Sequence, residues 1–305
     1  MPINTVKVTI NGTTYTATKG SGDTYTVNVT APVTTSYNVN SGHYFPVTVV
    51  ATNTAGTSTT VNDTDSRLGS SLRLFVKETT APTITVSAPT TGQYLGTATP
   101  TIVFTCTDEM NGSGVAIATL KMTLDGKQYT NTSSGVAVAG ITNGYSVSFI
   151  PPALTDGAHT LSVTVADNDG NTATSSIVNF TTDTVAPTLA VTNPATNGNY
   201  VANSTLNVTG TASDSTSGTP TVKIMLNGTD QGTVNLNNGA FSMAVNLING
   251  NNTIIVTATD KAGKITTITR TVILDTSSPV IASVNISPNP VNVGGNYTVT
   301  ISVTG

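Results

Sequence analysis

Apolar and polar residues alternate along most of this chain with a period of two. The stretch from Asn252 to Asp275, NTIIVTATDKAGKITTITRTVILD, shows it best. Ile254, Val256 and Ala258 alternate with Thr, and Ile265, Ile268 and Val272 continue the pattern. Such alternation marks half-buried β-strands. Asp260 to Gly263 interrupts it with turn residues: Asp bonds its own backbone, and Gly accepts positive φ. The same strand–turn–strand unit recurs at His159–Asp183, and more loosely at Phe45–Val61. No window keeps a helical period, and no run approaches the ~20 apolar residues of a membrane-spanning helix. The pattern predicts an all-β protein.

Landmarks repeat in a fixed order. Ala81-Pro82, Ala186-Pro187 and Ser278-Pro279 open successive modules of roughly 100 residues, the size of a small sandwich. Asp125-Gly126 matches Asn227-Gly228, a hairpin signal. Asp108 matches Asp214, Asp167 matches Asp260, and Asp183 matches Asp275. The predicted domains are an incomplete one at 1–81, sandwiches at 82–184 and 185–276, and a two-strand segment at 277–305. Linkers of about five residues, each carrying Pro, predict a semi-rigid rod.

The run D-x-x-A-P, then T-x-x-D-x-x-S-G, L-N-G and G-x-N-x-I-x-V-T-A-T-D-x-A-G resembles bacterial immunoglobulin-like domains, best at 226–228 and 250–263. The resemblance implies tandem immunoglobulin-like β-sandwiches and covers nearly the whole chain. It says little of function, because such modules serve as stalks, spacers and adhesin arms. The N-terminal region, from MPINTVKVTINGTTYT to LRLFVKETTAP, resembles the start of Ig-like proteins of phages that infect Gram-positive bacteria. The family resemblance also implies calcium near module junctions. Asp183, Asp108, Asp167, Asp169 and Asn171 would form one set, and Asp275, Asp214 and Asp260 another. Asx-turn chemistry accounts for the same residues without an ion, and Lys261 places a cation beside Asp260. The expectation is therefore no metal and no cofactor.

The two ends are complementary. Val6–Gly12 aligns with Val222–Gly228, in the middle of the repeat, so the first region starts without its opening strands. Pro279–Gly305 matches the opening strands and then stops. Val284, Ile286, Val299, Ile301 and Val303 would leave an apolar face bare. One expectation is that this hairpin completes the first domain of a neighbouring copy, giving a ring or a filament. The alternatives are packing on its own last module, packing on another protein, or a chain that is a piece of a longer one.

Composition narrows the chemistry. Charged residues are 9% of the chain, Trp is absent, and the net charge is −4. Few Lys and Arg argue against a nucleic-acid partner. The N-terminus enters a strand at once, with no basic patch and apolar core, so the expectation is no secretory signal. Cys106, the single cysteine, lies in an apolar strand and reads as a small core residue. His159 aligns with Asn252, which suggests a turn role. His43 stands beside Tyr44 and Phe45 as a possible surface contact. Tyr15, Tyr25, Tyr37, Tyr44 and Phe45 concentrate in the first region, where they suit either a sugar- or protein-docking patch or a core role. No nucleophile, metal-ligating or phosphate-loop motif is present, so no catalytic residues are assigned. The reading is a non-enzymatic structural and attachment protein of a phage virion: tail, neck or capsid decoration. Its expected partners are other copies of itself, other virion proteins, and a host-wall glycan or surface protein. Membrane insertion is not expected. The alternative is a stalk or adhesin fragment at a bacterial surface; an accessory module of a glycoside hydrolase ranks third.

Overall fold

The computed structural model describes residues 1–305. It divides into two compact units, residues 1–93 with 97–182, and residues 94–96 with 183–305.

The first unit opens with β1 (Ile3–Ile10), β2 (Thr13–Thr16), β3 (Thr18–Lys19), β4 (Tyr25–Thr26), β5 (Phe45–Asn53), β6 (Ser58–Val61), a 3-10 turn at Gly69–Leu72, and β7 (Arg73–Leu74). One main sheet forms, in the order β2-β1-β5-β6, with β7 on β5. Asn11 and Gly12, at φ 47° and 77°, make the two-residue hairpin between β1 and β2. Two consecutive positive φ values are what the twist of such a hairpin requires. Cross-strand pairs Val6–Ala51, Val8–Val49 and Ile10–Val47 share one face, and Thr9–Thr48 lies on the other. None of those six apolar residues is fully buried. Phe45 is the domain's buried hydrophobic anchor.

The same unit continues with β8 (Thr83–Ala88), the short β9 (Tyr94–Leu95, grouped with the second unit), β10 (Ile102–Thr107), β11 (Val115–Leu124), β12 (Lys127–Thr130), β13 (Val136–Ile141), β14 (Gly144–Phe149), β15 (Gly157–Asp167), β16 (Thr172–Thr174) and β17 (Val178–Thr182). Here two sheets face each other. One runs β13-β14-β10-β8, and the other β12-β11-β15-β17 with β16 on β15. Phe104, Val147 and Phe149 from the first, and Met122, Leu161, Val163 and Phe180 from the second, are buried. The alternation read from the sequence is the alternation of core and solvent faces.

The second unit holds β18 (Thr188–Asn193), β19 (Asn199–Val201), β20 (Thr205–Ser213), β21 (Thr221–Leu226), β22 (Thr229–Val234), β23 (Ala240–Asn246), β24 (Gly250–Thr259), β25 (Ile265–Leu274), β26 (Val280–Ser287) and β27 (Thr298–Thr304). Its sandwich sets β18-β20-β23 against β19-β25-β24-β21-β22. Leu206, Val208, Phe241 and Val245 meet Val222, Ile224, Ile254 and Val256 in one core. Asn227 and Gly228, at φ 50° and 81°, repeat the hairpin turn of Asn11-Gly12. One expectation fails here. Ile265 is exposed, because only even positions of β25, such as Val272 and Leu274, turn inward. β26 and β27 pair with each other alone.

Ile254→Ala should therefore lower the stability of the third domain by about 2–5 kcal/mol in urea unfolding, as for other buried aliphatics. Ile265→Ala should change it by less than about 0.5 kcal/mol.

Candidate functional site

Strand register decides which acidic residues meet. Thr188 opens β18 opposite Ser213, the end of β20. The linker before a sandwich thus lies at the pole where the loop after β20 begins. β24 runs to that same pole, since Thr259 pairs with Thr221 at the start of β21. Asp183 in the linker, Asp214 in the first loop and Asp260 in the second consequently converge. One carboxylate oxygen from each lies within 4.8 Å of the other two.

Their hydrogen bonds are uneven. Asp214 Oδ1 accepts the amides of Thr216 and Ser217, at 2.8 and 2.7 Å, and the Ser217 hydroxyl at 3.0 Å. Asp260 Oδ1 accepts the Lys264 amide at 2.8 Å. Asp183 Oδ2 and Asp260 Oδ2 are buried without a protein partner. Asp183 is fully buried, at 0% exposure. Burial, and the Asp214 and Asp260 carboxylates beside it, hold Asp183 above the usual carboxylate range, against an opposing bond from Ser217. Burial also works to raise Asp214, but the Ser217 and Thr216 bonds outweigh it and the group is lowered. An unpaired carboxylate oxygen in a buried site is costly. A hard divalent cation with oxygen preference removes that cost, and calcium suits three converging carboxylates. Lys261 does not fill the role: its Nζ sits 5.1 Å from the centre of the Tyr94 ring.

The first unit carries a counterpart. Glu78, Asp108 and Glu109 converge in the same way, and Asp108 Oδ1 is buried without a partner. Glu78 Oε1 accepts the Ser113 amide and hydroxyl, both at 3.0 Å. Asp108 Oδ2 accepts the Gly114 amide at 2.6 Å. Burial and a hydrogen bond with Glu109 raise Glu78 above its ordinary value. Glu78 and residues near the cluster also brace the first and second domains. The Glu78 amide donates to Asp169 Oδ2, and Asn38 Nδ2 donates to Gly112 O at 2.8 Å.

The predicted ligand sets were wrongly assembled. Asp183 groups with Asp214 and Asp260, not with Asp108, Asp167, Asp169 and Asn171. Asp275 lies outside both clusters, exposed and bonded to Ser277. Glu78 and Asp183 each serve the module that follows them. A signal was available: Glu78, Asp183 and Asp275 all stand four positions before a module-opening proline. Asp167 and Asn171 bond each other across their own turn, at 2.7 Å.

The remaining candidates are structural. His159 is buried, with Nδ1 2.7 Å from Asp125 Oδ2 and Nε2 2.9 Å from both Thr155 O and Thr182 Oγ1. Asn252 does the same work in the third domain, bonded to Asn227 at 3.0 Å and Ile248 O at 2.7 Å. An uncharged amide replaces the imidazole there, so the arrangement brackets a turn and asks for no proton transfer. Burial pushes the Cys106 thiol up to about 11, which leaves it protonated and unreactive at neutral pH. His43 is exposed and stacks on Tyr37, with ring centres 4.1 Å apart. Tyr44 bonds Asp63 and lies under Arg73, and Phe45 is buried. These aromatics are engaged with their own domain and offer no open platform.

Residues 93–184 match the family described as bacterial Ig-like domain. The chain is built of immunoglobulin-like domain repeats. Residues 187–276 of this Ig-like chain match the family described as glucodextranase, domain B. No curated protein sequence matches. Among solved structures, the fibronectin(III)-like modules of Clostridium thermocellum CbhA are 19% identical. They cover 63% of this chain and 94% of theirs, with a TM-score of 0.41. Titin domains A168–A170 are 13% identical over 88% of this chain and 86% of theirs, with a TM-score of 0.41.

Three outcomes follow. Calcium should raise the unfolding temperature of the third domain at pH 7, by about 4–8 °C per kcal/mol of binding. Without the ion, a raised Asp183 contributes stability below the ordinary carboxylate range and loses it as pH climbs through the raised value. Asp183→Asn should thus raise the ion-free midpoint at pH 7 and erase the calcium gain. Cys106 should resist thiol alkylation at pH 7.5 in native protein and react fully in denaturant.

Proposed function

We propose that this chain is a non-enzymatic structural and attachment protein whose Ig-like modules act as spacers in a phage virion. Support comes from the junction between the first two domains. Glu78, Asp169, Asn38 and Gly112 tie the linker and both domains together, as a stiff spacer needs and a free tether does not. No nucleophile–base pair assembles in either unit: the buried thiol stays protonated, and His159 is spent on Asp125, Thr155 and Thr182. Low charge with few Lys and Arg suits a surface exposed to trypsin-like proteases. The resemblance of the N-terminal region to phage Ig-like proteins supports a tail, neck or capsid decoration as its place. Its partners there are other virion proteins and a wall glycan or surface protein of the host.

The match of residues 187–276 to glucodextranase domain B favours a second reading, an accessory module of a carbohydrate-active enzyme. Mass spectrometry of density-purified virions and of host wall fractions separates the two, and also separates a bacterial surface stalk. The virion reading expects stoichiometric peptides in the particles. Peptides confined to wall fractions, or to a longer secreted hydrolase, would overturn it.

A further inference from the structure

A groove of about 440 Å³ lies within the first unit, where its two domains meet. That is the size of a small-ligand site. The first domain lines it with Tyr37 and Asn38. The second lines it with Ser113 before β11, Asn143 and Tyr145 at the turn from β13 to β14, and Asn168 after β15. The lining is fixed before any ligand arrives. Tyr37 stacks on His43, with ring centres 4.1 Å apart and planes 8° from parallel, and His43 Nδ1 lies 2.6 Å from Tyr37 O. Asn38 Nδ2 donates to Gly112 O at 2.8 Å, which ties the first-domain side to the second. Such preorganisation lowers the entropy lost on binding.

No charged side chain lines the groove. An anion would find no counter-charge there, and a hard cation no carboxylate. A wholly apolar ligand would take water from the amides and return no hydrogen bond. The lining offers two half-buried tyrosine rings among three side-chain amides. Asn38 and Asn168 spend their N–H groups on backbone carbonyls: Gly112 O for the first, and Ser113 O and Gly114 O, at 2.8 and 2.9 Å, for the second. Their side-chain oxygens are left to accept from hydroxyl groups. Asn143, exposed at φ 58°, brings an amide that both donates and accepts. A pyranose matches this mixture. Its C–H face packs on an aromatic ring, and its hydroxyls donate and accept around the rim.

The third domain supplies a comparison inside the same chain. Its groove, of about 390 Å³, occupies the equivalent place, with Gly218 and Asn238 where the second domain has Gly114 and Asn143. No aromatic side chain lines it, and Asp214 does. Asn143-Gly144 is followed by Tyr145, whereas Asn238-Gly239 is followed by Ala240. The shape recurs with the fold. The aromatic, uncharged lining does not.

We propose that this groove binds a neutral oligosaccharide. The C–H face of a sugar ring packs against Tyr145 and Tyr37, and its hydroxyls bond the amides of Asn38, Asn143 and Asn168. The inference deepens the attachment reading: that the sugar comes from a host wall rests on that reading, and the chemistry of the groove does not.

Amide NMR titration of the full chain with neutral oligosaccharides of glucose, galactose, rhamnose and N-acetylglucosamine tests it. Saturable shifts should map to Asn143, Tyr145 and Asn168, with a Kd of about 1 mM or tighter for at least one sugar. Gly140, exposed in β13, also lines the groove, and a Cβ added there meets no atom within 4 Å. Gly140→Leu should therefore fold normally, fill the groove and weaken binding by about 10-fold or more. Tyr145→Ala, which copies the third domain, should do the same, with urea unfolding to check that its sandwich persists. Asn238→Gly, in the third-domain groove, should change nothing. The proposal is overturned if no neutral sugar shifts these amides at up to about 10 mM, or if the shifts centre on another part of the chain. Binding that Gly140→Leu leaves intact overturns it too, as does equal occupation of the groove by a sulfated heparin fragment. Sugar binding by a chain absent from virions would remove the virion reading alone; virion peptides without sugar binding would remove the groove alone.

Discussion

A β-sheet with one aliphatic face must set that face against another. This constraint organises the chain. It is met twice by covalent neighbours, in the sandwiches of the second and third domains, where facing sheets bury Phe104, Phe149, Ile224 and Val256 completely. In the first domain the corresponding cross-strand pairs are only half-buried. The aliphatics of the C-terminal hairpin are exposed.

The poles of the sandwiches obey a second rule, set by electrostatics. Antiparallel register delivers a linker acid and two loop acids to one point. Carboxylates brought that close are mutually repulsive, and burial worsens the repulsion. The chain answers with backbone amides at Asp214 and with hydroxyl and amide donors at Glu78. It leaves one oxygen each of Asp108, Asp183 and Asp260 without a donor. Those oxygens lie where a linker enters a module, so an ion held there would also stiffen the entry.

Much of this was legible in the sequence. Period-two alternation located the strands, and Asn11-Gly12, Asp125-Gly126 and Asn227-Gly228 located the tightest hairpins, because only such residues accept two positive φ values in succession. Three features were less accessible. Ile265 looked inward because the turn hid where the phase of β25 begins. Ile281 joins its face only through a bulge, which a count of alternating residues misses. The linker acids were sorted with the wrong modules, since sequence order places Asp183 at the end of one repeat while register carries it to the pole of the next. His159 suggested a turn role from its alignment; it lies in β15, and its bracket of Asp125, Thr155 and Thr182 needed coordinates.

Amide hydrogen exchange of the full chain probes the central claim most directly. A face covered by a second sheet predicts strong protection of Ile224 and Val256, and half-covered faces predict weaker protection of Val6, Val8 and Val49. Equal protection of both sheets would contradict the account.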